Sequence, residues 1–389
     1  MKAALHATCG LTSLSSQVWL AQRGSSPHGK DNAAETDTIL EQINFDTMKR
    51  FITLIITASI FTSCWAGEKQ ITIAVQGAGE VVLVLAGGGI ATIDWGDGTE
   101  KKTITPTRFS FGVFHRHQYS DLANYTIAVV GDSITYFSCG GDPITSLDVS
   151  KHNGLTDLNF HHTRITSIDV SKNKSLKRLS CVVNRLTNLD ISKNTKLEEL
   201  FCAGNHLTSI DVSKNAALRQ LNVSENQLTS LNVSENTALF SLACASNQLI
   251  NLDISKNTEL EELYVDNNPL TDIDVSKNLK LRTLGCSNNR LANLDVSNNV
   301  ELSSLFCFNN LLTNLDLSNN EKMTFLRCQS NKFSTEALNS LFDTLHDNVI
   351  SHWLQGKTIF IYGNPGTNDS NTEMAIGKGW IVDKTTETQ

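Results

Sequence analysis

Apolar residues recur along the middle of the chain with a fixed period. A tetrad of Leu or Ile, Asp or Asn, an aliphatic residue and Ser begins every 21 residues from Leu147 to Leu315. A period of this length is typical of a stack of short coils, none of which buries its apolar face alone. The pattern predicts a solenoid whose function lies on a surface shared by several coils, which favours a binding protein over an enzyme.

Within each coil, apolar residues alternate with polar ones and then give way to a turn. The coil can be written L-x-x-L-x-C-x-x-N-x-L-T-x-L-D-V-S-K-N-x-x, and its first eleven positions match the leucine-rich-repeat signature with Cys at the third Leu position. The alternation predicts a parallel sheet on the concave face and an irregular convex side. Ten strands are expected, centred near Phe137, Leu158, Leu179, Leu200, Leu221, Leu242, Leu263, Leu284, Leu305 and Leu326.

Other patterns flank these repeats, which we place at residues 137–333. Residues 67–136 contain β-branched runs at 71–75 and 81–85 and a turn signal at Asp97-Gly98, which predict a small all-β, immunoglobulin-like sandwich. Apolar residues at helical spacing in 334–345 follow a Ser/Thr cap, and the strand pattern returns in 358–364. Residues 334–389 are therefore expected to form a helix-strand cap that seals the open end of the stack.

The segment before the repeats resembles PKD-type domains. Trp95 precedes Gly-Asp-Gly, His117-Gln-Tyr119 follows, and a strand from Tyr125 to Val129 closes the segment. The spacing around Trp95 is shorter than in the PKD pattern. The resemblance implies a β-sandwich over about 65 residues.

The N-terminal region carries an export pattern. Met48-Lys-Arg precedes an apolar stretch, Phe51 to Ser63, that is too short to span a bilayer, so residues 48–66 are predicted to be a signal peptide and residues 1–47 an over-called extension. Phe61-Thr-Ser-Cys64 resembles a bacterial lipobox, in which the cysteine is lipidated. Cleavage after Ala66 is the alternative. An acylated Cys64 would attach the protein peripherally to a membrane.

Composition restricts the partners and the chemistry. A net charge of −8 argues against nucleic acid and against an acidic membrane surface. No phosphate loop or nucleophile elbow is present, and the paired histidines at 115/117 and 161/162 have no third metal ligand near them in sequence. We therefore expect no enzymatic activity, no cofactor and no metal.

Seven cysteines occupy one column of the repeat. Phe160, Val223 and Val265 fill that column in other coils, so the position requires a medium-sized apolar group. Disulfides between neighbouring coils are a weaker alternative because parallel in-register strands point their side chains the same way. Zinc is weaker still because Cys-x-x-Cys spacing is absent. We expect a buried, reduced cysteine ladder of Cys139, Cys181, Cys202, Cys244, Cys286, Cys307 and Cys328.

Two polar columns of the repeat accompany the cysteine ladder. An asparagine at the turn after each strand can supply a donor and an acceptor to backbone groups that lack partners, so this column is expected to be structural: Asn184, Asn205, Asn226, Asn247, Asn268, Asn289, Asn310 and Asn331. A column of aspartates, from Asp148 to Asp316, lies on the opposite side with lysines three residues on. Local turn bonding by Asp and Ser is the favoured interpretation, ahead of a calcium or acid site.

Aromatic residues occupy strand positions that packing alone would leave polar. Residues on either side of the cysteine column must face the concave surface, where exposed aromatic groups are typical interface anchors. The alternative is that the C-terminal helix covers the last of them. The predicted partner-binding residues are Phe201, Tyr264, Asp266, Phe306, Phe308, Phe325 and Arg327.

A 21-residue coil with cysteine at the third Leu position is similar to internalin-type, internalin-J-like surface proteins and to leucine-rich-repeat lipoproteins of Gram-negative bacteria. The resemblance covers residues 137–364. It implies export to the cell surface and adhesive binding of a protein. The chain departs from cell-wall internalins because it carries no C-terminal wall-sorting signal.

Two functions follow as hypotheses. The first is an adhesin-like or receptor-like lipoprotein that holds a protein on its concave sheet, at the outer membrane or cell surface, with a periplasmic or secreted location as the alternative. The second is a glycan-capture lipoprotein in which the sandwich around Trp95 and Tyr119 holds a polysaccharide and the repeats act as a spacer. A periplasmic scaffold without an external ligand is a third possibility.

Overall fold

The computed structural model describes residues 69–107, 113–348 and 356–385. The predicted signal segment at 48–66, the extension before it and Cys64 lie outside these residues. Within the described part of the chain, no helix combines the length and the hydropathy that crossing a membrane requires.

Eight strands precede the regular repeats. Five of them form one sheet in the order β4-β3-β6-β1-β8. The other three, β5, β2 and β7, lie at one end of a second, 14-stranded sheet. Apolar residues from both sheets contribute to one core. The strands are β1 (Gln70–Gln76), β2 (Gly79–Gly88), β3 (Ala91–Asp94), β4 (Lys102–Ile104), β5 (His115–Tyr119), β6 (Asn124–Val130), β7 (Ser133–Gly140) and β8 (Ile144–Asp148).

Strand β7 belongs to the sandwich and to the solenoid. It pairs antiparallel with β2 on one side and parallel with β9 (Asp157–His161) on the other, where Phe137 lies opposite Leu158. Strand β8 returns to the first sheet and pairs with β1. The boundary that the sequence pattern placed between residues 136 and 137 lies inside β7. The sheet therefore continues through that boundary without a break.

The repeats stack in register, one short strand per coil. The central leucines pair directly, as in Leu242 with Leu263 and Leu305 with Leu326, because each coil has the same length. This stacking confirms the predicted leucine-rich-repeat solenoid. Its further strands are β10 (Arg178–Ser180), β11 (Glu199–Phe201), β12 (Gln220–Asn222), β13 (Ser241–Ala243), β14 (Glu262–Tyr264), β15 (Thr283–Gly285), β16 (Ser304–Phe306) and β17 (Phe325–Arg327).

The first asparagine column joins neighbouring coils through hydrogen bonds. The Asn205 amide donates to the carbonyls of Cys181 and Cys202, and its oxygen accepts the N–H of Leu186. Thr163 donates to Asn184 at one end of the column. Asn364 accepts the N–H of Asn331 at the other end. Each amide therefore bonds groups of its own coil and of the preceding one.

A second asparagine column, which had no predicted role, lies on the convex side. Asn257 is fully buried, and its amide donates to the carbonyls of Val233 and Asn236 at 3.0 and 2.9 Å. His152 replaces asparagine in the first coil and bonds the Gly131 carbonyl at 2.7 Å. The signal was visible in the sequence as the asparagine two residues after the serine of each tetrad. The column comprises Asn173, Asn194, Asn215, Asn236, Asn257, Asn278, Asn299 and Asn320.

The C-terminal segment extends the sheet and flanks it with a helix. Helix α1 (Thr335–Thr344) begins after Ser334, whose hydroxyl accepts the N–H of Ala337 at 3.2 Å. Strand β18 (Lys357–Phe360) pairs with β17, and β19 (Trp380–Asp383) pairs with β18. The short helix α2 (Glu373–Ile376) lies between these strands in sequence. This segment therefore covers the apolar end of the last regular coil.

Candidate functional site

Aromatic rings gather at the C-terminal end of the concave sheet. Phe306 and Phe325 lie with ring centroids 5.5 Å apart, and Phe325 lies 5.6 Å from Phe360 of β18. Arg327 places its guanidinium 4.9 Å from the Phe360 ring and 5.8 Å from the Phe308 ring. All five side chains are half-buried. We call these five residues the aromatic cluster.

The C-terminal helix does not account for this cluster. Helix α1 buries Leu338, Leu341 and Phe342, and Thr344 at its end accepts the N–H of Leu317. The ring contacts of the cluster residues are with one another. The rings therefore keep an open side on the concave face, as interface anchors do.

The structure separates the predicted binding residues into three groups. Phe306, Phe308, Phe325 and Arg327 come together in the aromatic cluster, whereas Phe201 lies on β11, five strands from Phe306. Tyr264 and Asp266 lie on and just after β14, two strands from Phe306.

The sequence pattern identified the strand that contains Phe360, but Phe360 was not among the predicted partner-binding residues. Its side chain had not been assigned to the concave face. The alternation that pointed to Phe306 would have found it. Tyr362 lies two residues further along, and its hydroxyl accepts a hydrogen bond from Gln329 at 3.3 Å. Tyr362 therefore extends the same half-buried surface beyond Phe360.

Tyr264 and Asp266 lean together over Gly285 of the next strand. A Cβ atom at Gly285 would lie 2.4 Å from Asp266 Oδ2 and 3.0 Å from Tyr264 Cδ1, so only glycine leaves room for both side chains. The N–H of Ser287 donates to Asp266 Oδ1 at 2.9 Å. Burial raises the pKa of Asp266 above its ordinary value.

A cavity of about 990 Å³ lies at the opposite end of the same sheet, against β2, β7, β9 and β10. Its floor includes Val84 and Tyr136. Its charges are matched: Arg116 contacts Glu80 at 2.7 Å, and Arg178 contacts Asp157 and Glu199 at 3.1 and 2.6 Å. Because both arginines are paired with carboxylates, neither leaves an unpaired positive charge in the cavity.

Trp95 and Tyr119 belong to the interior of the sandwich. They are 4% and 2% exposed, and the Tyr119 hydroxyl donates to the Trp95 carbonyl at 2.6 Å. The His117 ring stacks on Trp95 and lies 2.6 Å from Asp97 Oδ2. Buried rings present no face to a sugar, so the glycan hypothesis was wrong about these two residues as the binding surface.

The same network holds the turn between β3 and β4. Burial opposes ionisation of Asp97, but hydrogen bonds from Thr99 and His117 outweigh it and lower its pKa to about 2. Thr99 donates through both its N–H and its hydroxyl to Asp97 Oδ1. The Asp97 carboxylate, the Thr99 hydroxyl, His117 Nε2 and the Tyr119 hydroxyl all bond within this constellation, which indicates a structural role.

The cysteine column lies in the core as buried free thiols. Burial raises the pKa of Cys139, Cys244 and Cys328 to about 12. A thiol in this state carries almost no thiolate at neutral pH and has no access to solvent. These cysteines therefore fill space between coils.

The aspartate column forms local turns. Asp190, Asp211 and Asp253 each accept the N–H of the serine two residues on at 2.9 Å, and Asn232 makes the same bond at 3.0 Å. These backbone hydrogen bonds are the main reason that the pKa values of the three aspartates lie below the ordinary range. Because asparagine substitutes for aspartate here, the charge is not what the turn requires.

Comparison with solved structures agrees with this architecture. An internalin, InlF, of Listeria monocytogenes is 21% identical, with a TM-score of 0.51, over 65% of this chain and 83% of that one. The fold is a leucine-rich repeat. The functional domain of InlJ from the same organism, whose structure includes a cysteine ladder, is 24% identical over 62% of this chain, with a TM-score of 0.45.

The likeness extends no further than the fold. This chain covers 66% of the InlJ domain, slightly under two thirds of its length. A leucine-rich-repeat protein of Leptospira interrogans is 18% identical over 60% of this chain and 74% of that one, with a TM-score of 0.44. No protein-family model and no curated protein matches the sequence.

Proposed function

We propose that this protein is a non-enzymatic binding protein that holds a protein partner against its concave sheet. The aromatic cluster carries the proposal. Phe306, Phe325 and Phe360 form a half-buried row of rings across three strands, so part of each ring remains open to a partner on the concave face. Aromatic residues and arginine are enriched at the cores of protein interfaces, where a few side chains carry most of the binding energy.

The setting we propose is an exported, adhesin-like or receptor-like lipoprotein displayed at the outer membrane or cell surface. The lipobox-like Phe61-Thr-Ser-Cys64 and the apolar stretch before it support this setting. Labelled palmitate fed to expressing cells should appear in the wild-type protein and be absent from Cys64→Ser. Equal labelling of both proteins would exclude Cys64 as the acylated residue.

Capture of the partner from cell-surface extracts tests this proposal. Immobilised wild-type protein and a Phe306→Ser/Phe325→Ser variant are exposed to host and bacterial surface extracts, after matching melting curves show that both are folded. Ile250→Ser/Leu279→Ser is the control, because those apolar side chains are 64% and 56% exposed and lie outside the concave strands. We expect wild type and control to retain one protein of the extracts. The amount of that protein retained by the Phe306→Ser/Phe325→Ser variant should be lower by about 30-fold or more. Equal retention by all three proteins would contradict the proposal.

A further inference from the structure

The cavity of about 990 Å³ lies where the sandwich joins the solenoid, and we call it the junction cavity. Its floor follows from the pairing of four neighbouring strands, β2, β7, β9 and β10. Val84 of β2 lies opposite Ser138 of β7, and Ser138 lies opposite Asn159 of β9. Ser180 of β10 continues the same row. All four residues line the cavity, so its floor is a continuous sheet with small side chains beside Asn159.

The β2 end of this floor is apolar. Val82, Val84 and Ala86 face the cavity and alternate along β2 with residues of the common core. A strand that is apolar on both faces is typical of a strand covered on both sides. Tyr136 lies opposite Ala86 and adds a half-buried aromatic ring to the lining. The cavity therefore offers carbon surface to a ligand at this end.

Two guanidinium–carboxylate pairs border the same floor. The Arg178 guanidinium contacts Asp157 at 3.1 Å and donates to both oxygens of Glu199 at 2.6 and 2.8 Å. Arg116 contacts Glu80 at 2.7 Å. Ion pairs of this kind hold their planar groups in a fixed geometry. The lining contains two arginines and two carboxylates, so its formal charges cancel while its N–H donors and oxygen acceptors stay side by side.

Two further polar side chains lie between these borders. The His161 ring lies against Gly140, where a Cβ atom would be 3.1 Å from His161 Cε1. Burial lowers the pKa of His161 below its ordinary value, so the ring is neutral at pH 7. Asn159 is half-buried, and its Oδ1 has no hydrogen-bond partner among the residues that the structure describes. Rotation of this amide turns the acceptor towards the cavity, where a ligand hydroxyl can reach it.

We propose that the junction cavity binds a neutral saccharide. A sugar hydroxyl both donates and accepts hydrogen bonds, so it can use the N–H groups and the oxygens of one ion pair together. The C–H faces of a sugar ring are apolar and suit the valines and the tyrosine of the lining. A volume of about 990 Å³ lies at the upper end of the range for small-ligand sites and accommodates a few sugar rings.

A charged ligand fits the junction cavity less well, because both arginines are already paired with carboxylates. The proposed site is distinct from Trp95 and Tyr119, whose rings are buried in the sandwich. It also lies at the opposite end of the sheet from the aromatic cluster. The proposal therefore adds a second ligand to the protein partner and does not depend on it.

The test applies full-length proteins with matched melting curves to a printed array of neutral, uronate-containing and sulfated oligosaccharides. Asn159→Phe fills the middle of the floor with a residue that the same strand position already holds in Phe201 and Phe306. Its neighbours in the row are serines, which leave room for the ring. Asn222→Phe is the matched control, because Asn222 occupies the same position on β12, beyond the lining of the cavity.

We expect wild type and Asn222→Phe to retain the same neutral oligosaccharides and Asn159→Phe to retain none of them. Isothermal titration then uses the oligosaccharide that wild type retains most strongly. Arg178→Gln should weaken its binding at least tenfold, because a fixed set of charge-assisted donors is lost. Arg282→Gln, which removes another exposed arginine paired with a carboxylate, should leave the affinity unchanged.

Three results on the array would overturn the inference: no saccharide retained by wild type, retention of acidic saccharides alone, or equal effects of the two asparagine substitutions. An unchanged affinity in Arg178→Gln would overturn it as well. The same variants applied to surface extracts give a further outcome. A protein retained by Asn222→Phe and lost by Asn159→Phe would assign the junction cavity to the protein partner and would end the saccharide proposal.

Discussion

One residue in each turn after a strand adopts the left-handed backbone region, and its identity differs among coils. Most coils place Gly, Asn or a small polar residue there, such as Gly204 at φ 68° and Asn267 at φ 55°. Val183 adopts φ 55° and is 42% exposed. A β-branched residue in this region is strained, because its side chain crowds the backbone. The strain at Val183 is confined to a surface turn, which makes its energy measurable.

Replacing Val183 should therefore stabilise the protein. We expect Val183→Asn to raise the free energy of unfolding by about 1 kcal/mol, because asparagine tolerates the left-handed region. The reciprocal change, Asn267→Val, should lower it by a similar amount. Urea denaturation followed by circular dichroism measures both. Unchanged midpoints for both variants would show that the turn carries no strain.

The buried His152 makes stability depend on pH. Burial lowers its pKa below the ordinary 6.5, while the unfolded chain regains the ordinary value. The unfolded state therefore binds more protons, and stability falls as pH drops below about 6.5. His152→Asn, which copies the other coils, should lose less stability than wild type between about pH 7.5 and pH 5. Identical pH profiles in thermal melts would rule out this contribution.

At the scale of elements, the 21-residue period was sufficient to predict strands, register and the first asparagine column, because each follows from local spacing. The second column was equally visible in the sequence, but an asparagine after Ser-Lys, Ser-Glu or Ser-Asn also fits an exposed turn. Only the structure shows that Asn257 points inward and Asn251 outward. The aromatic cluster was predicted in part, since Phe306 and Phe325 follow from alternation, whereas Phe360 depends on how a less regular segment joins the sheet.

The second column should contribute more to stability than any surface asparagine. Asn257→Ala removes two amide hydrogen bonds and leaves the buried carbonyls of Val233 and Asn236 without these partners, so we expect a loss of about 2–3 kcal/mol. Asn251→Ala, at an exposed position of the same coil, should change stability by less than about 0.5 kcal/mol. Chemical denaturation compares the two. Equal losses would mean that the column does not join the coils.

At the scale of the whole molecule, the sandwich and the solenoid share a strand rather than a linker. The 21-residue repeat pattern begins near residue 137, and this change of pattern predicted a domain boundary there. Sheet pairing is a tertiary property, so the antiparallel partner of β7 could not be predicted from local spacing. Phe137 and Cys139 of β7 are fully buried in the common core. The concave surface consequently runs from β5 to β19 in one sheet.

A shared strand should couple the unfolding of both parts. We expect residues 69–385 to unfold in a single calorimetric transition, and a fragment that begins at residue 137 to melt at a lower temperature because β7 has lost its pairing with β2. Two separate transitions in the longer protein, or an unchanged melting temperature in the fragment, would show that the parts are independent.

We propose that the concave sheet is the surface that binds the partner. Hydrogen–deuterium exchange of the protein with and without the captured partner locates the contact directly. We expect added protection in β14 to β18, around Tyr264, Phe306 and Phe360. Protection confined to the aspartate column, or to the sandwich strands β1, β3, β4 and β6, would contradict it.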